Sequence, residues 1–263
     1  MSQKLLLVLL AFSVIAGWPD PRRSACAEDK LPPPLTRYKG REIAQTMHFT
    51  GAEWLVRESR EREEECSTLL EVLDVRPGQT VSDLGCGNGF YTMRLAEMVG
   101  EQGRVLAVDI QPEMLTLLRE RAKAANVKNI EPILCDPINP GLPAGELDLV
   151  VMVDVYHELS YPEQVLKGIR DSLKPDGMVV LVEFRLEDRD VPIKLLHKMS
   201  KRQVIKEMTP NGFKLVRQFD NLPWQHVMFF ARDDSELPEI EPTKKFRTTK
   251  SGPLPDRQTT GGE

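Results

Sequence analysis

The chain has 263 residues, of which 41% are hydrophobic and 29% charged, and a net charge of −5 at pH 7. That length holds one α/β domain with a sizeable core plus tails, and the composition is that of an ordinary globular protein. The acidic balance excludes a protein that grips a nucleic-acid backbone over a broad basic face. Lys194, Lys198, Lys201 and Arg202 remain as a local basic cluster, read as a solvated helix face.

Lys4 and the apolar run Leu5 to Gly17 open the chain. The run is too short to span a membrane comfortably and suits a signal-peptide core. Ala25-Cys26-Ala27 then offers small residues for cleavage before Glu28. Two other readings stand beside export to a periplasmic or external space: an uncleaved anchor or lipoprotein, and a cytoplasmic chain with a misassigned start. Membrane contact is expected only through an uncleaved N-terminus. Residues 28–40 are polar and proline-rich and read as a linker. Arg41 to Leu73 is helical in character, and Arg76-Pro77-Gly78 ends it.

Strand and helix then alternate. Strands are expected at Thr80–Leu84, Arg104–Asp109, Asn129–Leu134, Leu147–Val153 and Met178–Phe184. Helices are expected at Tyr91–Met98, Pro112–Ala125 and Pro162–Leu173. Continuous apolar strands in βα units predict a parallel sheet covered on both faces. A helix over Ile193–Met208 follows, then strands at Phe213–Phe219 and His226–Ala231. Too few residues separate those strands for a crossover helix, so they pair antiparallel. The domain is expected over residues 41–232, with 233–263 a disordered tail.

The segment Val81 to Phe90 (VSDLGCGNGF) runs a strand into a glycine turn and a helix. Glycines there let the backbone turn sharply and approach a ligand at the strand's carboxyl end. Asp83 precedes the first glycine, where a carboxylate engages an ammonium group directly or through water. The spacing is GxGxG, with Phe90 where the dinucleotide fingerprint continues to its third glycine. Asp109 ends the second strand, where a carboxylate accepts hydrogen bonds from ribose hydroxyls. Together these describe a ligand with a ribose, a positive end and no phosphate.

DLGCGNG resembles motif I of class I S-adenosylmethionine-dependent methyltransferases, and VLAVDIQPEML resembles their post-I strand and helix. The resemblance continues through Asp136, through Asp148 to Val151, through Val153 to Glu158, and through Leu173-Lys174-Pro175-Asp176-Gly177-Met178. It covers roughly residues 45–232 and is greatest to the small-molecule, methyltransferase type 11-like branch. It implies a Rossmann-like seven-stranded, mostly parallel sheet of order 3-2-1-4-5-7-6 with an antiparallel last strand and helices on both faces. It also implies S-adenosylmethionine as methyl donor, held by Asp83, Gly85, Cys86, Gly87, Asn88, Gly89, Asp109, Ile110, Asp136 and Asp154, and a small-molecule acceptor. Pro137 after Asp136 removes a backbone donor. The tetrapeptide typical of amide and exocyclic-amine methyltransferases is absent after the fourth strand.

Methyl transfer needs positioning and proton removal more than covalent help. Tyr156, His157 and Glu158, in the loop after the fourth strand, and Glu183 at the same rim are the candidate catalytic residues, His157 as general base weighed against a packing role and Glu183 against a structural ion pair. Arg185 is weighed as an anion binder. His48, Phe49 and Trp54 line a pocket or pack as buried aromatics, and Trp224 and His226 are hairpin core and rim. The four cysteines, Cys26, Cys66, Cys86 and Cys135, show no CxxC and read as free thiols. The spacing of the four histidines suggests no metal site.

Overall fold

The computed structural model describes residues 32–245, so the expectations for the N-terminal run and the last eighteen residues lie outside it. In chain order the elements are β1 (Arg37–Tyr38), β2 (Arg41–Glu42), α1 (Arg60–Glu64), α2 (Cys66–Leu73), β3 (Thr80–Leu84), α3 (Phe90–Val99), β4 (Arg104–Asp109) and α4 (Pro112–Ala124). They continue with β5 (Ile130–Leu134), β6 (Leu147–Val153), α5 (Pro162–Ser172), β7 (Leu173–Arg185), β8 (Lys198–Met199), α6 (Lys201–Met208), β9 (Phe213–Phe219) and β10 (Gln225–Arg232). The sheet order is β5-β4-β3-β6-β7-β10-β9, with β8 paired to the end of β7. This is the expected 3-2-1-4-5-7-6 order, and β10 runs antiparallel to both neighbours.

Alternation along the strands sorts the core to two faces. Leu106, Val108, Val150, Met152, Val179 and Leu181 meet α5 and α6 residues on one face. Val105, Leu149, Val151, Val180 and Val182 meet α2 and α3 residues on the other. Burying each such side chain is worth roughly 1.5–3 kcal/mol, which is why a polar residue inside these runs stands out. Asp83 and Glu183 are two of them. Both sit at the carboxyl half of a parallel strand, the side on which ligands bind in open α/β sheets.

Five expectations are corrected. Arg41–Leu73 is not one helix: β1 and β2 pair, Phe49–Val56 forms 3-10 turns, and α1 and α2 are separated by Glu65 at φ 50°. Part of the expected linker is therefore β1. The Ile193–Met208 helix is replaced by a turn at Leu195–His197 and by β8, and α6 begins only where the Ser200 side chain accepts from the Gln203 amide. The basic cluster is only half solvated, with Lys194 and Arg202 exposed. Lys198 is buried and donates to the Asp188 carbonyl, and Lys201 is buried and pairs with Asp220 at 2.6 Å. Residues 233–245 are tied to the domain: the Asp233 amide donates to the Gly212 carbonyl, the Ile240 amide donates to the Leu215 carbonyl, and Ile240 packs on the core.

Among the described residues no helix is long and apolar enough to cross a membrane. Cys66, Cys86 and Cys135 are free thiols.

Candidate active site

The glycine loop joins β3 to α3 by a chain of backbone bonds. The Gly85 and Cys86 amides donate to the Val108 carbonyl at 2.8 and 3.0 Å, and Gly89 donates to Cys86 at 3.0 Å. Gly85, Gly87 and Gly89 all have positive φ, the region where a Cβ is penalised. Space enforces glycine too. A Cβ on Gly85 would lie 2.5 Å from Val155, and one on Gly87 would lie 2.6 Å from Leu55.

Asp109 anchors the loop. One carboxylate oxygen accepts from the Gly87 amide and the other from the Gln111 amide, each at 2.9 Å. Each oxygen keeps a second acceptor site. Burial raises the Asp109 pKa while the backbone amides oppose it. Asp83 lies beneath the loop, where the Thr92 hydroxyl donates to it at 2.5 Å. Burial pushes the Asp83 carboxyl up to about 6 against that hydrogen bond. Ile110, beside Asp109, is exposed.

The segment before α1 lies across this loop. Asn88 donates to the Ala52 carbonyl at 2.9 Å, and the Gln111 side chain accepts from the Phe49 amide and donates to the Met47 carbonyl. His48 caps the Phe49–Val56 turns. Trp54 is half exposed, under the Arg57 guanidinium at 3.8 Å. His48 and Trp54 are thus surface groups, not buried aromatic packing.

The second half of the site is the exit of β6. Asp154 takes φ 56°, a conformation costing on the order of 1–3 kcal/mol in a non-glycine residue and common at functional loops. Its Oδ2 accepts from Gln225 at 3.2 Å, and its Oδ1 is buried with no hydrogen-bond partner. Burial, with Glu64 and Glu183 nearby, drives its pKa well above the carboxylate range.

Glu183, at the end of β7, accepts from the Tyr156 amide at 2.9 Å and contacts His157 Nδ1 at 2.6 Å. The other His157 nitrogen, Nε2, lies 3.0 Å from His197 Nδ1. Burial pushes the His157 pKa down, but the Glu183 carboxylate outweighs it and the net shift is upward. His197 is lowered by burial and by His157. Glu158 is pushed up to about 7 by burial, opposed by His157. Arg41 braces this loop from behind. It donates to the His157 carbonyl at 2.8 Å and forms a two-pronged pair with Glu207 at 2.8 and 3.1 Å.

A methyltransferase-domain family model matches residues 76–234, more than half of the chain. The chain belongs to the class I S-adenosylmethionine-dependent methyltransferases. A crystal structure of a SAM-dependent methyltransferase from Aquifex aeolicus superposes with a TM-score of 0.66 at 26% identity, covering 70% of this chain and 98% of that one. Similar curated proteins include the demethylmenaquinone methyltransferase of Bacillus cereus, 29% identical over 114 residues, 43% of this chain and 48% of that one. The aklanonic acid methyltransferase DauC of a Streptomyces species is 37% identical over 83 residues, 32% of this chain and 38% of that one. The chain spans less than half the length of these two curated relatives.

The residues brought together here fit the family's methyl donor. A tight glycine cradle, an acidic strand end with an exposed apolar neighbour, and an orphaned buried oxygen on Asp154 suit a nucleoside with a cationic end. Asp83, Gly85 to Gly89, Asp109 and Ile110 come together as the sequence suggested. Asp136 does not join them. It is exposed, and its carboxylate accepts from the Ile138 and Asn139 amides at 2.8 and 2.7 Å, closing its own turn.

Tyr156 is also misassigned as catalytic. Its ring is a core side chain on the α5 and α6 side of the sheet, and only its backbone amide reaches Glu183. Arg185 is closed to an external anion: it is fully buried, lies 3.9 Å from Asp188, and its guanidinium donates to the Leu222, Pro223 and Gln225 carbonyls. His157 has both ring nitrogens engaged, so the group next outward is His197, which the sequence reading missed. It lies forty residues away in a short turn, and no spacing marks it.

Proposed function

We propose that this chain transfers a methyl group from S-adenosylmethionine to a small acceptor with an apolar body. The observation that carries the reading is the glycine cradle tied through Gly87 to Asp109, with Ile110 exposed beside it. S-adenosylmethionine supplies an electrophilic methyl on a sulfonium. The chain's own residues bind and orient it: Asp109 accepts from ribose hydroxyls, Ile110 covers a face of the base, Asp83 lies toward the positive end, and the unpartnered Asp154 Oδ1 offers a further acceptor.

On the acceptor side, Glu183 fixes the His157 ring with Nδ1–H toward the carboxylate, so that Nε2 accepts from His197 Nδ1. His157, His197 and Glu158 thereby form a set of lone pairs that takes up positive charge as the acceptor ionises. The rim is apolar. Leu186, Leu195 and Leu196 are exposed in the segment that carries His197, and Trp54 and Val56 are exposed on the segment over the glycine loop. Two relatives are named for small organic acceptors, demethylmenaquinone and aklanonic acid. The N-terminal run is proposed as an export signal, which N-terminal sequencing of the native protein tests: an intact Met1 in the cytosol refutes it.

Calorimetric titration with S-adenosylmethionine and S-adenosylhomocysteine tests the main reading. Micromolar binding is expected, lost in Gly87→Arg and weakened about tenfold or more in Ile110→Asp, whose exposed position leaves the fold intact. No binding at millimolar ligand by folded protein overturns the methyl-donor assignment.

A further inference from the structure

We propose that His157, His197 and Glu158 form a binding site for a divalent transition-metal ion, placed to hold the ionising atom of the acceptor. One ligand atom from each lies within 4.8 Å of the others. His157 Nε2 is 3.0 Å from His197 Nδ1 and 4.0 Å from a Glu158 oxygen. In a tetrahedral site with bonds of about 2.0–2.1 Å, ligand atoms stand about 3.4 Å apart. The two separations bracket that value, so small torsional changes in His197 and Glu158 close the site.

The support behind the ligands points the same way. Glu183 sits 2.6 Å from His157 Nδ1, the carboxylate–histidine arrangement that orients a ligating ring and raises its basicity. The side chains of Glu183 and His157 are 0% and 2% exposed, so this pairing is built into the core. Charge also needs balancing. Two carboxylates, Glu158 and Glu183, flank the histidines, while the braced cation behind the loop, Arg41, is neutralised by Glu207. Lys194 begins the His197 turn but is exposed. A divalent ion at this point would lie between the two carboxylates. Imidazole and carboxylate donors select a borderline ion such as zinc over magnesium or calcium. On binding, the hydrogen that His197 Nδ1 shares with His157 moves to Nε2, so the exchange needs no net proton loss. Three protein ligands leave the fourth position of a tetrahedral site for a reactant.

Ion binding does not depend on the methyl-donor reading; only the acceptor role rests on it. The test is titration of metal-free protein with cobalt(II), read by its visible d–d bands, and with zinc by equilibrium dialysis. One ion per chain is expected. Affinity should fall at least about tenfold in His197→Ala and in Glu158→Gln, while S-adenosylhomocysteine affinity stays unchanged in both. His197 lies on a half-exposed turn, so its variant retains the fold. No stoichiometric ion in folded protein, or binding undiminished in His197→Ala, overturns the site. An ion bound by protein that ignores S-adenosylhomocysteine refutes the methyl-donor reading and leaves the metal site standing.

Discussion

The two halves of the site are built in opposite ways. At the β3 and β4 edge, ten consecutive residues and one carboxylate a strand later make a tight glycine turn, and backbone amides do most of the bonding. At the β6 and β7 edge, Arg41, His157, Glu183, His197 and Glu207 come from five separate segments and are joined by side chains. A cradle of backbone groups is reusable for one cofactor whatever the acceptor. A cluster of side chains drawn from many segments changes with each acceptor, which is why family likeness speaks for the first half and less for the second.

The largest expected effect breaks the second half alone. Arg41→Ala removes one partner of an ion pair whose Glu207 is 0% exposed. Leaving a buried carboxylate uncompensated costs about 3–5 kcal/mol, measurable as a lower midpoint in urea. S-adenosylhomocysteine affinity in the folded variant should be nearly unchanged. A parallel loss of affinity would mean that the two halves are one unit.

His226 offers a pH test on the same edge. It pairs across the sheet with Glu183, both its nitrogens are buried without partners, and burial with Lys201 and Arg185 nearby pushes its pKa down to about 3. The unfolded chain binds a proton there near pH 6.5, the folded one far lower. The stability held by the neutral ring is therefore complete above pH 6.5 and is lost as pH falls toward 3, at up to about 1.4 kcal/mol per pH unit. His226→Leu should flatten this part of the acid profile, seen as a smaller drop in unfolding free energy between pH 6.5 and 4.5. An unchanged slope would place the acid sensitivity elsewhere.

Asp109→Ala gives the smallest change and sharpens the first half. Cofactor affinity should drop by about 1–3 kcal/mol, the scale of hydrogen bonds to a charged group, with the Gly87 and Gln111 amides also released. Calorimetry checks it, and unchanged affinity would mean that the ribose sits elsewhere.

Legibility followed the same division. The glycine loop, Asp109 and Ile110 were readable because a backbone turn needs particular residues at adjacent positions, and φ and space allow little substitution. His157 and Glu183 were readable only as candidates at strand ends. Asp136 and Tyr156 looked equivalent to them by position, yet one closes its own turn and the other faces the core. Which way a side chain leaves an irregular exit loop depends on packing that no local pattern encodes. The basic residues from 194 to 202 misled for a related reason, since the helix there starts only after Ser200, and Lys198 and Lys201 turn inward while Lys194 and Arg202 stay exposed.

From the sequence alone came the parallel sheet, its order through the family likeness, the terminal hairpin and the glycine turn. Those depend on period-two burial and on turn chemistry, which act over a few residues. Only the tertiary structure decided that Arg41 braces the exit loop, that His197 meets His157, and that the stretch 233–245 runs beside β9. Each of these joins groups distant in the chain, and such contacts form only when the folded sheet brings its edges and connections together.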